Sequence, residues 1–170
     1  MEITGGSVTL VGPLASYDNY GATVSGLEQV RGTINFYAGN IVDGNNVQGV
    51  LKWYGGALNG GASLIIASNA ILNIEGSIGI LGRLTNAGTV NWQAGEVSAF
   101  TVPSYGYNGE IWNETNALWD IQCDQTLDNQ SPKHGGITPI FHNAGMLQKS
   151  ATTGTTSFNI YLDNNGIQNS

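Results

Sequence analysis

The sequence predicts an all-β chain wound into a right-handed parallel β-helix, and three observations carry that prediction. Gly and Asn interrupt every candidate segment, 25 Gly among 170 residues, so no stretch sustains the apolar spacing of a helix. The apolar residues alternate over short runs, Val90 and Trp92 against Thr89 and Asn91, which is the two-residue period of a strand. One unit also recurs. Leu84-Thr85-Asn86-Ala87-Gly88-Thr89-Val90-Asn91-Trp92 has weaker copies at 33–36, 50–53, 71–74 and 141–147.

Taken in order, strand centres fall at Val8, Val24, Ile34, Leu51, Leu72, Val90, Ile111, Ile121, Phe141 and Leu162. The gaps 51 to 72, 72 to 90, 90 to 111 and 141 to 162 are 21, 18, 21 and 21 residues. A strand-type period near 20 is that of a β-solenoid. Residues 50–58 echo 89–97 after 39 positions, about two coils, each with a strand ending in Trp followed by a Gly turn. Three short faces plus corners fit such a coil, and 170 residues make roughly eight coils, a rod on the order of 40 Å long. Gly and Asn are expected at corners, where they tolerate a left-handed backbone. Residues 13–20 read as an irregular first turn. Residues 103–109 and 128–139 read as outward loops, and the repeat is expected to resume cleanly at Phe141 and again over 149–157. The whole chain, 1–170, is read as one domain; with neither the basic nor the apolar region of a signal peptide in its first eight residues, it is read as cytoplasmic or, in preference, as a piece of a longer repeat protein.

The composition excludes several partners. Only 10% of residues are charged, the net charge is −7, and the five Lys and Arg are scattered singly. A nucleic-acid surface needs clustered positive charge. The same field disfavours anionic membranes, and no apolar run is long enough to insert. One cysteine, Cys123, shares a strand face with Trp119 and Ile121 and reads as a small buried residue.

The unit at Leu84 and its copy at Phe141-His142-Asn143-Ala144-Gly145, with the Thr-rich run after Lys149, resemble the degenerate repeats of large bacterial surface and secreted proteins. Those carry pectin-lyase-like or autotransporter-passenger-type right-handed β-helices. The resemblance implies an elongated extracellular, adhesive or scaffold protein. It carries over no catalytic residues, because the acidic, His and Arg-Ile-Lys signatures of polygalacturonases and the basic cluster of pectate lyases are missing from the sequence.

Departures from the repeat are the candidate sites. Tyr105, Tyr107, Trp112 and Trp119 border the first loop and would offer sugar-stacking rings. Asp120, Asp124 and Asp128 are the densest acidic group, which in principle suits glycoside hydrolysis or calcium. At four-residue spacing on a strand, however, they stand about 13 Å apart, too far for either without a bend. Trp53 and Trp92 share a repeat position and are expected inside the core. His134 and His142 lack a third ligand. No catalytic residue, metal ligand or cofactor is assigned. The function expected is a non-enzymatic surface, adhesin-type or spacer module, with glycans or other surface proteins as partners and oligomers through open solenoid ends. The alternative is a carbohydrate-binding or carbohydrate-cleaving β-helix with its site near 103–139, and a trimeric, tailspike-like shaft is a third.

Overall fold

The computed structural model describes residues 2–3, 7–10, 22–29 and 31–169, with side chains from residue 23 except residue 30. The irregular first turn read at 13–20 lies outside the described residues. Three long parallel sheets form the walls of a β-helix. We call them A, B and C in the order the chain visits them. Each coil contributes one short strand to each wall, and the described residues make seven complete coils and two strands of an eighth.

The period is visible in sheet B. Val50 pairs with Ile71 and Ile71 with Thr89, offsets of 21 and 18 residues. Trp53, Ile74 and Trp92 therefore stack in one inward column, and both tryptophans are fully buried. Each indole N–H donates to a corner carbonyl, Trp53 to Gly55 and Trp92 to Gly95, both at 2.8 Å. The two-coil echo between 50–58 and 89–97 is this column. A second inward column runs Leu51, Leu72, Val90, Trp119 and Leu147. Sheet A supplies Leu64, Leu84, Ile111, Phe141 and Leu162. Sheet C supplies Ile41, Leu58, Ile80 and Ala99. Truncating any of the large buried side chains would cost about 3–5 kcal/mol.

The two longest offsets in sheet B interrupt the rhythm most. Thr89 pairs with Leu118 and Leu118 with Met146, 29 and 28 residues apart, because segments 100–110 and 130–139 are inserted between sheets C and A. Val90 thus stacks on Trp119 and not on Ile111, whose partner is Leu84 in sheet A. Asp128 belongs to the strand Thr126–Asn129, so the second loop begins after it. Residues 150–156 do not restate the repeat: they form an exposed loop between sheets B and C.

The corner between sheets A and B explains the Asn-x-Gly unit. Asn86, Asn113, Asn143 and Asn164 occupy one register position in successive coils. Each Nδ2 donates to the next Oδ1, at 2.8, 2.7 and 2.6 Å. Asn86 and Asn113 also donate to the carbonyls of Leu118 and Met146 where the next coil turns into sheet B. The first three amides are buried. A buried amide is tolerated only when its groups are paired, and here the coil above pairs them. Asn86 Oδ1 additionally accepts from Gly88 N at 3.0 Å. Gly88 is required for space and not for a left-handed backbone: a Cβ there would lie 2.3 Å from the Ala67 carbonyl oxygen. Gly95, at the corner between B and C, does have a positive φ of 77°.

Because a central rung serves two neighbours and the end rung serves one, the two should differ in cost. Asn113→Ala is expected to lower stability by about 2–4 kcal/mol, and Asn164→Ala, at the exposed end, by about 1 kcal/mol or less. Urea denaturation of the two variants measures the difference, and equal losses would contradict the ladder.

Candidate functional site

The seven sequence-predicted residues fall into five places. Trp112 stands on the outer face of sheet A, half-buried. Its register neighbours in that outward column are Thr85 and His142, followed by Asp163. The His142 ring stacks on it at 3.9 Å and 22°, and the Arg83 guanidinium lies 5.3 Å from its centroid. Arg83 comes from the coil before and His142 from the coil after, so both faces of the indole are occupied. Glu110 accepts from Trp112 Nε1 at 3.1 Å and from Arg83 at 3.1 Å, and His142 Nδ1 meets Asp163 at 3.1 Å. Sugar stacking needs a free aromatic face, and Trp112 presents only its edge.

Trp119 corrects the expectation of a partly exposed ring. It is fully buried, edge-on to Phe141 at 5.0 Å. Its position in the column of Val90 and Leu147 turns it inward, and its Nε1 is buried without a hydrogen-bond partner. It offers nothing to a ligand.

The aspartates do not converge. Asp120 points outward from sheet B yet is only 6% exposed, because Gln122, Gln148 and Ser150 each donate to it, at 2.7, 3.2 and 2.8 Å. Asp124 sits at the next corner, tied to Lys149 Nζ at 2.7 Å and Thr152 Oγ1 at 2.5 Å. Lys149 follows Ile121 in a column otherwise apolar, and its ammonium turns aside to the Cys123 carbonyl, Asp124, Thr152 and Thr156. Those bonds fasten the 150–156 loop to the rod. The hydrogen bond from Lys149, with help from Thr152, holds the Asp124 carboxyl below its ordinary value. Burial raises the Cys123 thiol, which leaves it poorly suited to nucleophilic work. Asp128, on the outer face of sheet C, accepts from Gln130 Nε2 and from Asn159 at 3.0 Å. Among the described residues no three His, Cys, Asp or Glu side chains gather as a metal site. The two histidines are likewise apart, one on sheet A and one in a loop.

What the structure does assemble is a lateral lobe. Residues 101–102 and 107–108 form a small antiparallel hairpin around a 3-10 turn, Pro103–Tyr105. The second insertion, with its own 3-10 turn Ser131–His134, packs against it. Thr101 N donates to Ser131 Oγ at 2.8 Å and Ile137 N to the Thr101 carbonyl at 2.9 Å. Tyr105 is ringed edge-on by Tyr107 at 5.8 Å and His134 at 6.4 Å, with Phe100 on the far side of His134 at 6.1 Å. Tyr105 is 61% exposed. Lys133 donates to Gln130, which donates in turn to Asp128, so Asp128 is linked to the lobe. Of the predicted residues, Tyr105, Tyr107 and Asp128 thus meet here. His134 joins them, and the sequence signal for it was only its place in the second loop.

Among the described residues these features define the class: a three-sided parallel β-solenoid with a lateral lobe. Compared with known proteins, the chain matches no family model, no curated protein and no solved structure.

The depressed Asp124 gives a pH signature. A carboxyl held low in the folded state stabilises above its unfolded value, near 3.8, and that stabilisation is lost as pH falls through the folded value. Asp124→Asn should therefore lower the melting temperature at pH 6, and its deficit relative to the native chain should shrink below about pH 4. Melting curves across pH 6 to 2.5 test this, and a deficit unchanged throughout would remove Asp124 from the account.

Proposed function

We propose that this chain is a non-enzymatic rod module of an extracellular surface or adhesin-type protein. Its useful properties are stiffness and reach. The observation that supports it is where the reactive side chains went. Asn86, Asn113, Trp112, His142, Asp120, Lys149 and Asp124 each spend their polar or aromatic groups on the neighbouring coil or its corner loop. A hydrolase would instead keep two carboxylates free and facing one another across a bond. Such ladders resist shear between coils, which suits a spacer.

The lateral lobe favours a second reading, carbohydrate binding beside the rod. Tyr105 offers an exposed ring, and Tyr107, His134 and the Lys133–Gln130–Asp128 chain supply hydrogen-bonding groups around it. An exposed aromatic bordered by planar polar groups is the usual makeup of a sugar subsite.

One pair of assays separates these. Incubation with neutral and acidic polysaccharides should release no reducing ends or unsaturated products; turnover abolished by Asp120→Asn would overturn the rod reading. A glycan array should show either no binding, as a bare spacer requires, or binding lost in Tyr105→Ala. Binding retained in Tyr105→Ala would remove the lobe as its site.

A further inference from the structure

Sheet B turns side chains of a distinctive kind to solvent. Nearest the corner with A, one outward column holds Thr33, Val50, Ile71, Thr89, Leu118, Met146 and Ile167. Ile71 and Ile167 are 36% and 57% exposed, and the rest are half-buried. The adjacent column is rich in amides: Asn73 and Asn91, bonded at 2.9 Å, and Gln148. The charges on this face are Lys52, Glu75 and Asp120. Lys52 pairs with Glu75 at 3.8 Å, and Asp120 is buried under its three donors. Sheet A, by contrast, turns out Glu28, Arg83, Glu110, His142 and Asp163. The long insertions leave by the corner between C and A, and the 150–156 loop by the corner between B and C. None of these described insertions leaves from the middle of face B.

In a chain of net charge −7, like copies repel over most of their surfaces. Face B carries little of that charge: its formal charge is −1, its two opposite charges are paired, and Asp120 is covered. Amides carry both donors and acceptors, so a row of them complements itself across a twofold axis. An apolar row beside it gains from being covered. We propose that the outer face of sheet B is the surface by which two copies of this chain associate side by side.

Its size sets the strength. Seven coils at about 4.8 Å, by about five residues of strand at about 3.3 Å, give a footprint on the order of 550 Å² per copy, smaller than the roughly 800 Å² of a standard interface. The association is therefore weak, with a dissociation constant in the micromolar range or above.

Sedimentation equilibrium from about 10 μM to about 1 mM tests it. The average mass should climb from 17.8 kDa towards twice that value. Ile71→Glu with Ile167→Glu should weaken association about tenfold or more, since the twofold axis brings like charges together. Thr89→Lys, in the same column, should do likewise, while Ile65→Glu on sheet A, also at an exposed isoleucine, should not. Circular dichroism establishes that each variant is folded. A mass that stays at the monomer value throughout overturns the proposal. So does a dimer indifferent to the face B variants, or one weakened equally by Ile65→Glu.

Discussion

Each described strand of the three walls is held by strands one coil away, in register, and nothing within a single coil replaces that pairing. The constraint reaches the side chains. Once Asn86 is paired with Asn113 across 2.8 Å, an amide that would be costly to bury becomes a rung, and the next coil must supply a matching group. The same logic stacks His142 on Trp112 and Tyr54 on Tyr37, the latter at 4.3 Å and 6°. Burial under its neighbours, and a hydrogen bond to Glu75, raise the Tyr54 phenol. A side chain in such a column answers first to the coils above and below it.

This accounts for the contrast between the walls and the lobe. On the walls, potential ligand groups are already satisfied, and Asp120 with three neutral donors is the clearest case. The insertions at 100–110 and 130–139 leave successive coils by the same corner and add no strand to a wall. They satisfy one another instead, through Thr101, Ser131 and Ile137. Freed from stacking, Tyr105 leaves a large part of its ring in solvent.

The same constraint explains what was legible from residues alone. Leu51, Leu72 and Val90 gave the period because the coils joining them carry no insertion. Past residue 100 the spacing misled: Ile111 lies 21 residues from Val90 yet stands in a different wall, and Trp119 is the true partner. The nearness of Trp119 to the tyrosine loop suggests a binding surface, although its alternation with Ile121 and Cys123 points inward. By sequence alone Asn86 reads as a turn residue, because Asn and Gly two residues apart mark a corner. Its burial became readable only when Asn113, Asn143 and Asn164 were aligned to it, since a ladder is a property of the set. Gly88 matched its expected corner for another reason, the close approach of the Ala67 carbonyl. The lobe was legible as two loops but not as one body, because contacts between insertions leave no period.

The in-register stack is the central claim, and disulfide trapping tests it most directly. In a Cys123→Ser background, cysteines at Asn73 and Asn91, register partners on face B, would lie about 5 Å apart between Cα atoms, within disulfide range. Cysteines at Asn73 and Thr89 are displaced by two residues, beyond about 7 Å. Mild oxidation of the folded protein, read by mass spectrometry, should close the 73–91 bridge and leave 73–89 open. Equal closure of both, or of neither, would contradict the register on which the account rests.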